Sequence, residues 1–468
     1  MNRFISLNSF ISKQKSGDWG RDSYDEKYNF KVHCVRGADI NAVNEGKYDC
    51  LPLRYIESKN KAKLLEEGNI IIEISGGSPS QSTGRVSYVG GVYKNIICSN
   101  FCRAYEIQSE YSAKYFYYLI KNIYNSNVFF NFESKTTGIK NLLIESAFNN
   151  IKVPEFDLPT QQKIAAVLSA LDDKIELNNK INAELEAMAK TLYDYWFVQF
   201  EFPYDFAQDR PNAEGKPYKS SGGKMLYNPT LKREIPEGWE VSVFNDWIKQ
   251  TKTGDWGKEK IEGNYTERVF CVRGADINGL NGKGEVKAPE RYILKNNLSK
   301  KLEDNDFIIE ISGGSPTQST ARIALLTKET LERFDTNVVC SNFCKAVTLK
   351  ETVYAFNFQQ EWQRLYDAGV FFGFEGKTSG IKNFLFDSFM DSYHIVKPPK
   401  ELAQKYNSFA KELEKKKQLN LKQNQELAQL RDWLLPMLMN GQVKVEDTYS
   451  SSEQQTNIAA EAAIAYQN

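Results

Sequence analysis

Two long stretches of this chain carry apolar residues at three- and four-residue steps, which is the spacing of one face of an α-helix. The first (Thr160 to Val198) contains no Gly or Pro, and the second runs from about Lys400 to Leu435. A narrow apolar stripe on so long a helix is typical of a coiled coil. Pro159 and Gly441 supply a start and a stop signal. The pattern therefore predicts two long helices that pair with each other.

Polar residues interrupt both stripes near their midpoints. Asn178 and Asn182 in the first helix correspond to Asn420 and Asn424 in the second. An antiparallel pairing brings all four together, where they would fix the register at a cost in stability; the alternative is that they face solvent. The predicted coiled-coil seam comprises Leu171, Ile175, Asn178, Asn182, Leu185, Leu192, Phe409, Leu413, Asn420, Asn424, Leu427 and Leu430.

The sequence before each helix has a different pattern, with short apolar runs broken by Gly and polar turns. It predicts strands near Val32–Arg36, Ile70–Ile74 and Ile96–Ala104, and a helix near Ala113–Ile123. The expected fold is α+β: two similar domains separated by two long helices, which form an antiparallel coiled coil with pseudo-two-fold symmetry.

These two domains are copies of each other. Cys34–Asn41 returns unchanged as Cys271–Asn278, and Ile71–Arg85 returns as Ile308–Arg322 with two substitutions. Two further repeated segments are Cys98–Cys102, found again as Cys340–Cys344, and Lys135–Asn141, found again as Lys377–Asn383. Such islands inside drifted sequence indicate an internal duplication. The expected division of the chain is a first domain at 1–158, helix 1 at 159–200, a Pro- and Gly-containing linker at 201–234, a second domain at 235–398, helix 2 at 399–441 and a tail at 442–468.

Composition narrows the possible functions. Lys+Arg and Asp+Glu are equal at 60 each, so nucleic-acid binding would need local basic patches or a partner that shares the phosphate load. Seven cysteines without a secretory signal indicate a reducing cytoplasm. Because the chain has no run of 18 apolar residues, we expect no membrane-spanning segment.

Catalytic chemistry is poorly supplied. His33 and His394 are the only histidines, and the C-x₃-C pairs at Cys98 and Cys340 have no second pair nearby, so we interpret these cysteines as core residues rather than metal ligands. The phosphate-binding loop, the dinucleotide fingerprint and the adenine-methyltransferase box are all missing from the sequence. We therefore predict no catalytic residues, no metal and no cofactor in this chain.

The repeated loops instead offer hydroxyls, amides, backbone N–H groups and isolated cations, which suit contacts to DNA phosphates and base edges. Structural loops with solvated charges are the alternative. Arg36 and Arg273 could equally form ion pairs with Asp39 and Asp276, and the repeated Trp19 and Trp256 could form a structural turn or a base wedge. The candidate DNA-binding residues are Arg36, Ser78, Gln81, Ser82, Thr83, Arg85, Lys135, Thr136, Lys140, Arg273, Ser315, Gln318, Ser319, Thr320, Arg322, Lys377, Thr378 and Lys382.

Three motifs add a family resemblance. Leu158–Ile164 (LPTQQKI) opens the first helix, Leu430–Val443 (LRDWLLPMLMNGQV) closes the second, and Ile235–Trp239 (IPEGW) opens the second domain. Together with the order domain, helix, domain, helix, these motifs resemble the specificity subunit of type I restriction–modification systems over nearly the whole chain. One departure is that Met1 falls opposite Gly238, so the first copy lacks an IPEGW opening; the tail after Gly441 is expected to pack there.

This resemblance implies a non-catalytic, cytoplasmic DNA-binding subunit with two target-recognition domains. Each domain would read one half of a bipartite, near-palindromic target in double-stranded DNA, while the coiled coil sets the spacing. The resemblance also implies two methyltransferase (modification) subunits, which bind S-adenosylmethionine, and restriction subunits, which use ATP. The alternatives are a fused restriction–methylation enzyme or nuclease, and a coiled-coil scaffold that does not bind DNA.

Overall fold

The computed structural model describes residues 3–76, 81–91, 93–136, 139–212, 214–313, 315, 317–378 and 381–445. Of the residues in these ranges, the side chains of Lys135, Thr136, Ile139, Lys377 and Thr378 lie outside the description. The chain forms two compact units. Unit 1 comprises Met1–Glu176 and Glu426–Asn468, and unit 2 comprises Leu177–Gln425. Both long helices are therefore divided between the units.

Unit 1 holds the first copy of the repeat. Its strands are β1 (Phe4–Ser6), β2 (Ile11–Ser16), β3 (Phe30–Val35), β4 (Leu53–Ile56), β5 (Ile70–Glu73), β6 (Ser75–Gly76), β7 (Val86–Tyr88), β8 (Ile96–Cys98), β9 (Cys102–Ile107), β10 (Glu133–Thr136), β11 (Ile139–Leu142) and β12 (Lys152–Pro154). Its helices are α1 (Ile40–Asn44), α2 (Ala113–Asn125), α3 (Ile144–Asn150) and the first half of α4 (Leu158–Tyr193). The strands form sheets in the orders β2-β9-β5-β7, β4-β3-β8, β10-β11-β6 and β1-β12.

Unit 2 holds the second copy. Its strands are β13 (Pro203–Asp205), β14 (Arg210–Pro211), β15 (Lys216–Pro217), β16 (Met225–Asn228), β17 (Arg233–Pro236), β18 (Glu240–Val243), β19 (Ile248–Thr253), β20 (Tyr265–Val272), β21 (Glu290–Leu294), β22 (Asp306–Glu310), β23 (Ser312–Gly313), β24 (Ile323–Leu325), β25 (Val338–Cys340), β26 (Cys344–Leu349), β27 (Glu375–Thr378), β28 (Ile381–Phe384) and β29 (His394–Lys397). Its helices are α5 (Ile277–Leu280), α6 (Lys328–Leu331), α7 (Ala355–Asp367), α8 (Phe386–Ser392) and the first part of α9 (Lys400–Met439).

The two copies share one sheet topology, which confirms the predicted α+β fold. The orders β19-β26-β22-β24, β21-β20-β25, β23-β28-β27 and β18-β29 repeat those of unit 1 strand for strand. One predicted strand is wrong: Ile96–Ala104 is split into β8 and β9. A turn closes between them, with Cys102 N–H donating to the Ser99 carbonyl over 2.9 Å.

Helix α2 shows how local sequence and packing combine. The Ser112 hydroxyl accepts a hydrogen bond from Tyr115 N–H over 3.2 Å and caps the first turn. Tyr115, Phe116 and Ile120 are then fully buried against β5 and β7 in the core of unit 1. Burying side chains of this size contributes about 1.5–3 kcal/mol each, and this burial holds the helix on its sheet.

The segment 201–234, predicted as a linker, contains the small strands β13 to β16 and the start of β17. Phe202 and Tyr218 are buried in the core of unit 2, and their rings stack with centroids 4.7 Å apart. Three of the prolines that indicated a linker lie in short strands beside an aromatic cluster: Pro203, Pro211 and Pro217.

Helices α4 and α9 run antiparallel, as predicted. In unit 2, Asn178 Nδ2 donates to Asn424 Oδ1 over 2.8 Å, and Asn420 Nδ2 donates to Asn182 Oδ1 over 2.9 Å. Residue numbers therefore increase along α4, from 178 to 182, while those of the partners on α9 decrease, from 424 to 420. In unit 1, Arg431 on α9 pairs with Asp172 on α4 over 2.6 Å. None of the described helices is apolar enough along its length to cross a membrane.

Two predicted seam residues are wrong. Phe409 is 38% exposed and Leu430 is 43% exposed. Each lies one residue before a seam-side position, Ala410 and Arg431, and is therefore rotated by about 100° out of the seam. The other predicted seam residues are buried or half-buried: Leu171, Ile175, Asn178, Asn182, Leu185, Leu192, Leu413, Asn420, Asn424 and Leu427.

The end of α9 completes the core of the first domain. Leu435, Leu438 and Met439 are buried in the core of unit 1, and Val443 and Val445 pack against it. This agrees with the expected docking of the C-terminal segment up to residue 445; residues 446–468 lie outside the described part of the chain.

Candidate nucleic-acid interface

Repeated segments of the first domain meet around the carboxylate of Glu73 at the end of β5. Arg85 Nε and Nη2 donate to its two oxygens over 2.8 and 2.6 Å. Cβ atoms at Gly37 and Gly76 would lie 2.6 and 2.8 Å from Glu73 Oε1, so a larger residue at either position would displace this carboxylate. Glu73 is 2% exposed. This carboxylate therefore joins the Cys34–Asn41 and Ile71–Arg85 segments.

Glu310 does the same in the second domain. Arg322 donates to its oxygens over 2.8 and 2.6 Å, and Cβ atoms at Gly274 and Gly313 would lie 2.5 and 2.7 Å from Glu310 Oε1. Hydrogen bonding to the carboxylate raises the pKa of Arg322 above its ordinary value. The shared geometry explains why these glycines and charges persist in both copies.

A second carboxylate, Glu133, joins the two predicted binding loops. Its Oε1 accepts from the backbone N–H and hydroxyl of Thr83 over 2.7 and 3.0 Å, and its Oε2 lies 3.2 Å from Lys140 Nζ. Lys140 Nζ also donates to the Gln81 carbonyl over 3.2 Å. Strand β11 pairs with β6, and Ser75 Oγ donates to Asn141 Oδ1 over 2.6 Å. The segment Gln81–Arg85 and the paired strands β10 and β11 therefore form one surface, which we call the loop-and-hairpin surface.

Glu375 is the counterpart of Glu133 in the second domain. It accepts from Thr320 N–H over 2.8 Å and from Ser319 Oγ over 3.1 Å, and it pairs with Lys382 over 3.0 Å. Burial acts to raise the pKa of Glu375, but the hydrogen bonds from Thr320, Lys382 and Ser319 lower it below its ordinary value. The carboxylate is therefore charged at neutral pH.

Several of the predicted DNA-binding cations are paired with the protein's own carboxylates. The side chains of Arg85, Arg322 and Lys140 are only 21%, 14% and 14% exposed, and their charges face the protein's own carboxylates. Such groups brace the loop. The hydroxyl-bearing residues Ser82, Thr83, Ser319 and Thr320 are buried as well.

Other predicted residues face outward. Gln81, Ser315 and Gln318 are exposed, although Gln81 Nε2 also reaches the Tyr124 hydroxyl over 3.3 Å. Lys382, by contrast, is only 23% exposed and pairs with Glu375, as Lys140 does with Glu133. Ser78, and the side chains of Lys135, Thr136, Lys377 and Thr378, lie outside the described residues. Their role in DNA contact stays a prediction.

Arg36 forms the ion pair that the sequence left as an alternative. Its Nε and Nη2 donate to Asp39 over 2.8 Å each, and Arg273 makes the same contacts with Asp276 over 2.9 and 3.0 Å. Burial acts to raise the pKa of Asp39, but the hydrogen bonds from Arg36 lower it. Arg36 and Arg273 remain 46% and 36% exposed, so each can still contact a ligand.

The repeated Trp residues belong to structural turns. The guanidinium of Arg54 lies 4.1 Å from the Trp19 ring centroid, and that of Arg291 lies 4.3 Å from Trp256. Gly20 N–H donates to Asp18 Oδ1 over 3.0 Å and closes the first turn. The turn is therefore held by cation–π packing and local hydrogen bonds.

The repeated cysteines are core residues. Cys98 and Cys340 are each 1% exposed, and burial raises the pKa of each thiol to about 12. A thiol must lose its proton to bind a metal or to act as a nucleophile. Among the described residues, no group of three or more His, Cys, Asp or Glu side chains is placed to hold a metal ion.

The sequence interpretation missed one exposed pair. Asn100 and Phe101, and equally Asn342 and Phe343, project from the turns between β8 and β9 and between β25 and β26. The signal was available, because this Asn-Phe pair lies inside a pentapeptide that is identical in both copies.

Comparison with known proteins finds similarity to specificity subunits. Residues 40–187 match the family model described as "Type I restriction modification DNA specificity domain". The chain is 27% identical over 351 residues to the type I restriction enzyme MjaIX specificity subunit of Methanocaldococcus jannaschii, covering 72% of this chain and 70% of that protein. It is 30% identical over 143 residues to the HindI specificity subunit of Haemophilus influenzae, covering 30% of each chain. A solved S subunit from M. genitalium aligns with 14% identity and a TM-score of 0.48, covering 93% of this chain and 96% of that one.

A duplicated α+β domain and paired long helices occur here together with sequence matches to DNA specificity subunits. The chain is similar to the specificity subunits of type I restriction–modification systems. These matches give no support to a fused restriction–methylation enzyme.

Proposed function

We propose that each recognition domain reads one half of a bipartite target in double-stranded DNA. The observation that carries this proposal is the duplicated surface of loop and hairpin, built on Glu73 and Glu133 in one domain and on Glu310 and Glu375 in the other. One chain thus has two equivalent readers. The paired helices set the separation of the half-sites; at 1.5 Å per residue, the 36 residues of α4 alone span about 54 Å.

Two modification subunits bind the outer faces of these helices. Leu177, Ile181 and Met188 form a stripe on α4 and are 50%, 40% and 50% exposed. Their repeat equivalents on α9 include Leu419 and Leu430, which are 46% and 43% exposed. Exposed apolar residues on a helical stripe are typical of partner docking. Because the stripe occurs once per helix, the chain offers two equivalent docking sites.

The partner subunits supply positive charge for the DNA phosphates and the catalytic chemistry. The formal net charge is zero, whereas specific DNA binding needs several neutralised phosphates, so the modification subunits share that load. They also bind S-adenosylmethionine and transfer the methyl group, and restriction subunits bring the ATP-dependent steps. The complex works in the cytoplasm, where the DNA is.

Reconstitution tests this function. The chain is purified with and without its modification subunits, and binding and methylation are measured on DNA with and without the target motif. We expect sequence-specific binding and methyl transfer only with the modification subunits present. Nanomolar, sequence-specific binding by the isolated chain at about 150 mM salt would contradict the shared-load proposal.

The docking stripe is tested by Met188→Asp, with Lys174→Asp on an exposed position of the same helix as a matched control. A charge on the stripe should reduce co-purification of a modification subunit, because it must be desolvated on docking. The control should assemble normally. Equal assembly by both variants would show that the stripe is not the docking site.

A further inference from the structure

The turns between β8 and β9 and between β25 and β26 each present an exposed Asn-Phe pair. Phe101 is 53% exposed and Phe343 is 52% exposed, and Asn100 and Asn342 are exposed beside them. Their neighbours in the sequence are buried: Ser99 is 2% exposed, and the cysteines on both sides are 1% exposed. We name these pairs the Asn-Phe tips.

Each tip is held rigidly beside the repeated loop. The Phe101 carbonyl accepts from Ile74 N–H over 2.9 Å and from Ser75 N–H over 3.2 Å, at the point where the loop begins. A Cβ atom at Gly17 would lie 1.9 Å from the Ser99 carbonyl oxygen, so the backbone at Gly17, which follows β2, packs directly against the turn. The tip is therefore held by the repeated Ile71–Arg85 segment and by the backbone at Gly17.

The second tip has the same support. The Phe343 carbonyl accepts from Ile311 N–H over 2.9 Å and from Ser312 N–H over 3.2 Å, and a Cβ atom at Gly254 would lie 2.0 Å from the Ser341 carbonyl oxygen. Both tips thus present the same two side chains from the same rigid turn.

The two Phe rings lie outside the hydrophobic clusters of the described core. Within the described residues, neither Phe101 nor Phe343 contacts another aromatic ring in a stacked, tilted or edge arrangement. A single exposed apolar residue is ordinary. Here the exposure recurs at the equivalent position of two copies whose neighbouring sequence, 86–97 against 323–339, has diverged. A shared ligand accounts for that retention.

We propose that the Asn-Phe tips contact bases of the target DNA. The Asn amide carries one donor group and one acceptor, the combination that pairs with the N6 and N7 edge of adenine, and the Phe ring packs on a thymine methyl group or a base face. This inference rests on the proposed function and adds base-contacting residues to it. DNA is favoured as the ligand because the tips adjoin the loop-and-hairpin surface in each domain.

Four variants test the tips in the full complex with modification subunits: Asn100→Ala, Phe101→Ala, Asn342→Ala and Phe343→Ala. Binding is measured against a panel of targets with single base changes. Asn100→Ala should lower discrimination at one position of one half-site, on the order of ten- to a hundred-fold, and Asn342→Ala at the corresponding position of the other. The Phe variants should weaken binding to the same half-sites.

Phe4→Ala is the matched control, because Phe4 is 62% exposed on β1. It should bind DNA like the wild type. Unchanged affinity and base preference in all four tip variants, with thermal unfolding as in the wild type, would overturn the inference. Loss of a modification subunit without loss of base preference would also overturn it, since the tips would then be a protein contact. If the wild-type complex shows no base preference at all, the proposed function itself fails.

Discussion

Asn178 on α4 donates from Nδ2 to Oδ1 of Asn424 on α9 over 2.8 Å, in the middle of the helix pair. The two residues are 1% and 9% exposed. Asn424 Nδ2 in turn donates to Asn179 Oδ1 over 2.9 Å, whereas Asn178 Oδ1 has no hydrogen-bond partner. The pair costs stability relative to apolar residues, and only one alignment of the helices satisfies its other polar atoms.

A double-mutant cycle at this pair should separate register from stability. Asn178→Leu alone leaves the Asn424 carbonyl oxygen buried without its donor, and we expect it to lower the free energy of unfolding by about 1–3 kcal/mol. Asn178→Leu with Asn424→Leu should recover most of that loss, because two apolar residues then face each other. Urea unfolding measures all three variants.

The control for the cycle is Gln162→Leu on an exposed position of α4, which should change the stability by no more than about 0.5 kcal/mol. Additive effects of Asn178→Leu and Asn424→Leu would show that the two amides do not act as a pair.

Arg85 should support DNA binding without neutralising a phosphate. Its guanidinium is occupied by Glu73, so Arg85→Ala should weaken binding by loosening the loop, and the slope of log affinity against log salt should stay as in the wild type. If Lys135 contacts a phosphate, Lys135→Ala should reduce that slope by about one. Binding titrations of the full complex at four salt concentrations distinguish the two; a smaller slope for Arg85→Ala would mean that this arginine reaches the DNA.

Asp172 should make unit 1 sensitive to acid. Burial acts to raise its pKa, but the charges of Lys121 and Arg431 and the hydrogen bonds from Arg431 and Tyr118 lower it below the ordinary value of 3.8. Because the pKa is lower in the folded state, the ionised carboxylate stabilises the fold above the unfolded pKa, and this stability is lost as the pH falls through about 4 and below. Asp172→Asn should cost about 1–3 kcal/mol at pH 7 and flatten the acid limb of a stability–pH curve.

Asp432→Asn is the control for this effect, since Asp432 binds the same Arg431 but is 54% exposed. It should leave the acid limb unchanged. A curve for Asp172→Asn parallel to the wild type down to pH 3 would contradict the assignment.

The two half-sites should be related to each other. Both domains share the Glu73 and Glu310 centres and identical Asn-Phe tips, and similar readers choose similar bases. With antiparallel helices, we expect the related half-sites in inverted orientation, as in a near-palindromic target. Sequencing of methylated DNA from cells with and without this gene gives the motif. Two unrelated half-sites would assign base reading to the diverged segments 86–97 and 323–339.

The sequence by itself determined the repeat, the α+β class, the two long helices and their antiparallel register. Each of these depends on periodic or local information. The equivalence of Asn178 and Asn182 with Asn420 and Asn424, for example, was enough to predict that the four amides meet, and the structure confirms it.

Only the tertiary structure decided which polar groups of the loops are exposed and which face the protein's own carboxylates. Thr83 and Glu133 are 50 residues apart in the sequence, and no periodicity indicates that they are hydrogen-bonded. The same holds for the aromatic cluster within 201–234 and for the end of α9 in the core of unit 1. A charge or a ring is assigned its partner by chain segments that meet only on folding, because burial and hydrogen bonding depend on distance in space rather than along the chain.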